Sequence, residues 1–138
     1  MSAPPKIFDV PEANALLGSV AALVQQLQGL QQSILTTQQT LDASKEQLGH
    51  GNGHSVQELR TRIEELTKRQ LLLVEAFQSA MQQLEALGAL LKDLNQGLVD
   101  FYSLRDGELV FLCWRLGEER IDYWHGIDDG FAGRQPLA

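Results

Sequence analysis

The chain has a single cysteine, Cys113, in 138 residues, so no internal disulfide can form. That suits a reducing compartment. There is no run of Lys or Arg, and the net charge is -7. Both features argue against non-specific binding to nucleic acid or to an anionic membrane, which need clustered cations. No long hydrophobic run is present either, because glutamines interrupt the leucines, so no stretch is apolar enough to span a bilayer. The first six residues lack the charged start and apolar core of a signal peptide. The expectation is a cytoplasmic protein. Phosphate loop, nucleophile elbow and dinucleotide fingerprint are all missing, so no cofactor is expected. The most unusual absence is local: no charged residue occurs between Glu12 and Asp42.

What is present is helical periodicity. Asp9 with Glu12 makes a capping box, Phe8 can staple onto Ala13, and Pro11 falls in a first turn where a missing amide costs nothing. A helix is therefore predicted from about residue 10 to 47. Its apolar residues step by four and three: Leu16, Val20, Leu23, Leu27, Leu30, Ile34, then Thr37 as a polar exception, then Leu41. That is the a/d seam of a left-handed coiled coil. Three glycines within residues 49–54 mark a connector. Ser55 with Glu58 makes a second capping box, and a seam resumes at Leu59, Ile63, Leu66, Gln70, Leu73, Phe77, Ala80, Leu84, Leu87, Leu91 and Leu94. The second helix is predicted over about 55–96, with Gly97 as its left-handed C-terminal residue. Folding one helix on the other pairs Leu27 with Phe77, Ile34 with Gln70 and Leu41 with Ile63, and sets Gln70 in a layer beside Thr37.

After Gly97, β-branched and aromatic residues appear between turn signals. Residues 98–103 read as a strand, Arg105-Asp106-Gly107 as a hairpin turn, 109–115 as a second strand and 119–125 as a third, with 126–138 an irregular tail. The second strand is apolar on both faces, which fits a central strand covered twice. A three-stranded meander is marginal alone and must pack on other elements. The fold class is thus mainly α with a small β module: a long antiparallel helical hairpin over 1–97, then a β-meander and tail over 98–138, together one structural unit.

The C-terminal third carries specific motifs. They are Lys92-Asp93-Leu94, Gly97-Leu98-Val99-Asp100-Phe101, LCWRLGE over residues 112–118, Tyr123-Trp124-His125 and GFAGRQP over residues 130–136. With the opening FDVPEANALL over residues 8–17, they make the chain resemble a bacterial family catalogued as domain of unknown function 2203. The resemblance spans nearly the whole chain and implies the architecture but no activity. It singles out Asp100, Cys113, Trp114, Arg115, Glu118, Trp124, His125 and Arg134 as matched positions.

Several residue types invite a chemical reading. Cys113 and His125 suggest a metal or a nucleophile. Yet a hairpin turning near Gly117 sets Cys113 opposite Asp122 or Tyr123 and His125 near Val110 or Phe111, several residues apart along the sheet. A zinc site wants four ligands, and only Glu118, Asp122 or Asp128 could supplement these two. The plainer alternative is that Cys113 is a small buried hydrophobe. His50 and His54 are four apart in the glycine loop and can hold a divalent ion weakly, or simply be a solvated tip. No metal is expected, with His50, His54 and Cys113 as the weak candidates. Trp124, His125, Glu118 and Arg134 can line a small pocket, with Arg134 a donor for carboxylate or phosphate and His125 an acid or base. The alternative there is structural: Arg134 pairs with Asp128 or Asp129 and pins the tail, while Trp124 covers the core.

These residues support two functions. The first is a non-enzymatic, homo-oligomeric interaction or scaffold protein, binding a second copy of itself or another protein. Leu17, Val24 and Gln28, beside the seam in the charge-free stretch, would form a two-fold interface and a four-helix bundle. The second is a small ligand-binding or catalytic protein using Trp124, His125, Glu118 and Arg134.

Overall fold

A computed structural model describes residues 5–50 and 55–138. Among these residues, helices α1 (Val10–Ala15), α2 (Leu17–His50) and α3 (Val56–Ala86) precede strands β1 (Leu90–Asp93), β2 (Leu98–Arg105), β3 (Glu108–Arg115), β4 (Tyr123–Gly126) and β5 (Gln135–Pro136). A 3-10 turn, Phe131–Gly133, lies between β4 and β5. The chain groups into two compact units, one of residues 1–26 with 81–138, the other of residues 27–80. No described helix is long and apolar enough to cross a membrane.

In the first unit, α1 starts where the capping box predicts. The Glu12 amide donates to Asp9 Oδ1 at 2.8 Å, and the Asp9 amide donates to Glu12 Oε1 at 3.0 Å. The helix breaks once, at Leu16, whose amide reaches back only three residues to the Ala13 carbonyl at 3.1 Å. The buried stripe at the start of α2 is Leu17, Val20 and Val24, not the expected Leu16, Val20 and Leu23.

The second long helix is shorter than its leucine spacing suggests. It ends at Ala86, and Gly88 takes the left-handed conformation (φ 89°) that stops it. A Cβ at Gly88 would sit 2.7 Å from the Phe8 ring, so a side chain is excluded there by space as well as by φ. Leu90 and Leu91 therefore belong to β1, and Leu87, Leu91 and Leu94 keep the heptad rhythm without being helical. Gly97 is left-handed (φ 68°), as its residue type predicts, but it turns β1 into β2 and caps no helix.

The expected three-stranded meander is a five-stranded antiparallel sheet in the order β1-β2-β3-β4-β5. One extra strand comes from the early end of α3. The other comes from the tail, whose Gln135 and Pro136 pair with Trp124 and Tyr123. The predicted third strand is confined to residues 123–126. Asp106 (φ 52°) and Gly107 (φ 81°) form the hairpin turn of β2 and β3, in which both central residues take positive φ. β3 lies centrally and is buried from Val110 to Trp114, as its two apolar faces require. On the inner face Phe8 meets Phe101 edge-on at 5.3 Å. Its amide donates to the Tyr102 carbonyl at 2.8 Å, and the Ser103 hydroxyl donates to the Phe8 carbonyl. Asn14 Oδ1 accepts from the Ile121 amide at 2.7 Å, tying α1 to the chain that enters β4.

In the second unit, α2 and α3 lie side by side, with Leu27, Thr37, Leu41, Leu59 and Ala80 buried. A hydrogen bond fixes the register where the spacing places it: Gln70 Nε2 donates to the Ile34 carbonyl at 2.9 Å. Its second acceptor is Gln38 Oε1 at 3.2 Å, not Thr37.

Candidate functional site

The chemistry gathers on the outer face of the sheet, in the first unit. The two-residue turn at Asp106-Gly107 keeps β2 and β3 in unbroken register, which sets Asp100 opposite Cys113 and Tyr102 opposite Phe111. The second hairpin sets Cys113 opposite Tyr123 and Phe111 opposite His125. Strand alternation then brings Asp100, Cys113 and His125 to one face of three adjacent strands.

His125 packs its ring on Phe111, 5.3 Å between centroids, and reaches over β3. Its Nε2 lies 3.0 Å from Asp100 Oδ2, and each side chain is only 4% exposed. Its Nδ1 lies 2.9 Å from the Gly126 carbonyl oxygen. A carbonyl can only accept, so Nδ1 carries a proton. The contact between Nε2 and the carboxylate needs a second proton between them. The pair is therefore neutral as a whole, whether written as imidazolium with carboxylate or as imidazole with carboxylic acid. Burial holds the Asp100 carboxyl above its ordinary value, opposed by His125, Lys92 and a hydrogen bond from Cys113. Cys113 is 1% exposed. Burial, then the charge of Asp100, pushes its thiol up to about 12. It is a protonated donor at neutral pH and not a nucleophilic thiolate.

These three side chains form the floor of a cavity of about 130 Å³, walled by Lys92, Leu98, Phe111, Ile127 and Phe131, with Asp129 and Gly130 at its edge. Lys92 Nζ stands 4.4 Å from the centre of the Phe111 ring. The tail supplies much of the wall, so the 3-10 turn at Phe131–Gly133 is part of the site's construction.

The four residues expected to share a pocket do not converge. Trp124 alternates with His125 onto the opposite face, where Arg105 lies 5.0 Å from its ring. Arg134 is paired with Glu118, Nη2 to the two carboxylate oxygens at 3.0 and 3.1 Å, and not with Asp128 or Asp129. The Arg134 guanidinium also lies over Tyr123 at 3.9 Å and Phe131 at 4.4 Å, and so fastens the tail to the sheet. Glu118 in turn accepts from the Arg115 amide at 2.7 Å, which holds its carboxylate at the end of β3 where Arg134 arrives. The Asp129 carboxylate is turned instead toward the backbone of Gly126. Of the four, only His125 reaches the cavity.

His50 is exposed at the end of α2, 3.8 Å from Glu46, and His54 lies outside the described residues. Leu17 and Val24 are 7% and 0% exposed within the single chain, so neither is a free interface residue. The seam has turned so that they point inward in place of Leu16 and Leu23. Gln28 is half-buried and has a partner of its own.

The model of a family described as an uncharacterised conserved protein, DUF2203, matches residues 6–137, almost the whole chain. The chain belongs to this family. No curated protein and no solved structure matches it. The family carries no assigned chemistry, so any function for this DUF2203 chain must be argued from the cavity and its floor.

Proposed function

We propose that the chain is a small ligand-binding protein whose site is the cavity over Asp100, Cys113 and His125. One observation carries this reading: an ionisable pair and a thiol are buried side by side, facing a space large enough for a few atoms of ligand. Burying such groups is costly unless each is matched, and an apolar trio of the same size would hold the sheet together as well or better. Ionisable groups with shifted protonation at the floor of a concave site are the ordinary signature of binding or catalysis. The test is nuclear magnetic resonance of labelled protein against small carboxylates, phosphates, amines and aromatic fragments. Ligand binding should move the His125 ring and Cys113 Cβ resonances. If every perturbation maps elsewhere, this reading fails.

Self-association is a second reading, favoured by a different observation in the helical unit. Leu71 and Leu72 are 61% and 65% exposed on α3, and Leu35 is exposed on α2. These leucines, and not Leu17 and Val24, would carry a homodimer or a contact with a partner protein. Sedimentation equilibrium should then report a dimer of the 15.3 kDa chain that Leu71→Gln with Leu72→Gln returns to monomer. A wild-type monomer at high concentration would exclude it.

A further inference from the structure

We infer that the cavity floor is a binding site for one divalent transition-metal ion of the zinc class, held by Asp100, Cys113 and His125. This rests on reading the cavity as a ligand site, and it names the ligand. Among the described residues these three form the one group of metal-ligating side chains whose donor atoms converge, all within 4.8 Å of one another. Around a tetrahedral ion with bonds of about 2.0–2.3 Å, neighbouring donor atoms stand about 3.3–3.8 Å apart. The His125–Asp100 contact of 3.0 Å needs only a small opening to admit the ion between them.

Three further features point the same way. The Gly126 carbonyl fixes the proton on Nδ1, which leaves the Nε2 lone pair as the ligating one; metal-bound histidines are oriented in this way by a partner on the other nitrogen. The donor set mixes thiolate, imidazole and carboxylate, which suits zinc, iron or cobalt and not the all-oxygen shells of magnesium and calcium. Charge also balances. Without the ion, the site keeps a proton on the thiol and a shared proton between His125 and Asp100. A divalent cation replaces these two protons and meets one thiolate and one carboxylate, so the loaded site is neutral as a whole, as a buried site needs. Three protein ligands leave a fourth position, and the cavity lies where it would open. That is the arrangement of ions which hold water or a small ligand, and not of closed structural sites.

The experiment is titration of chelator-treated chain with cobalt(II). One equivalent should bind, with the intense thiolate-to-cobalt charge-transfer band and the visible bands of a four-coordinate site, and zinc should erase both. Cys113→Ser should lose the charge-transfer band while keeping the circular dichroism of the folded chain. Asp100→Asn and His125→Gln should weaken binding by about tenfold or more. His50→Gln should change nothing. Absence of a thiolate band on the folded wild-type chain, or binding that survives in Cys113→Ser unchanged, would overturn the inference. If cobalt gives no band while an organic fragment moves the His125 resonances, the metal falls and the ligand cavity stands. If neither moves them, both fall.

Discussion

Asp100→Ala in the metal-free chain is expected to lower the stability by about 3–5 kcal/mol, because it leaves His125 buried with one of its two ring nitrogens unmatched. The magnitude comes from the geometry of the pair. Both side chains are 4% exposed, so water cannot replace the lost partner without opening the sheet or its covering tail. An exposed ion pair such as Arg120 with Asp122 is worth far less, since solvent takes over when it breaks. The double variant Asp100→Leu with His125→Phe should recover most of the loss. Replacing a buried polar pair by apolar groups of similar volume is often neutral or stabilising. Urea unfolding of the two single variants and the double variant measures the coupling. A loss below about 1 kcal/mol in Asp100→Ala would mean that His125 finds another partner, and the neutral-pair argument would fail with it. Full recovery in the double variant would support a pair kept for function and not for stability.

The strand register beneath that site is legible in the sequence, but the convergence of its side chains is not: residue spacing sets Cys113 and His125 several residues apart and does not single out Asp100 as their partner. The Asp-Gly turn at residues 106 and 107 fixes the β2–β3 register by itself, and from it Asp100 falls opposite Cys113. The placement of His125 beside Phe111 is readable from the second turn. What the sequence does not show is the reach of a histidine across a whole strand, from β4 to β2. That reach depends on how the ring lies on Phe111 as it passes over β3, which residue spacing does not encode. The end of α3 is hidden for a different reason. Leucine suits helix and strand alike, so Leu87, Leu91 and Leu94 satisfy a heptad that Gly88 has already broken. The deciding fact is the Phe8 ring lodged against Gly88, a contact between residues 80 apart in sequence. The face of α2 differs by one residue near its start because the break at Leu16 rotates the next turns of the helix. Beyond Leu27 the Ile34–Gln70 pairing lies where the spacing places it. Glu118 and Arg134 stand out as residue types, but their partnership depends on a tail that returns as β5, and two residues of strand leave almost no signal.

Alkaline pH should expose the same cluster from the side of Cys113. The folded thiol titrates at about 12 against an ordinary 9.0, because burial and the nearby Asp100 disfavour the thiolate. A raised value means that the folded chain keeps a proton which the unfolded chain gives up. The stability linked to Cys113 is therefore fully present below pH 9.0 and is lost as pH rises toward 12. The slope is about 1.4 kcal/mol per pH unit, or about 4 kcal/mol across the window. Lysines and tyrosines titrate in the same range, so the quantity to measure is the difference between wild type and Cys113→Ala at each pH. The two curves should be parallel below pH 9 and converge or cross above it, as the wild type loses what the variant does not have. Thiol reagents should label native Cys113 slowly throughout the neutral range, at a rate set by opening of the sheet and not by the intrinsic chemistry of the thiol. Parallel curves up to pH 11, or labelling as fast as in the unfolded chain, would show a thiol open to solvent. Adding one equivalent of zinc gives the sharpest contrast. A sulfur bound to the ion has already surrendered its proton, so the alkaline loss should vanish in the loaded chain if Asp100, Cys113 and His125 hold the metal together.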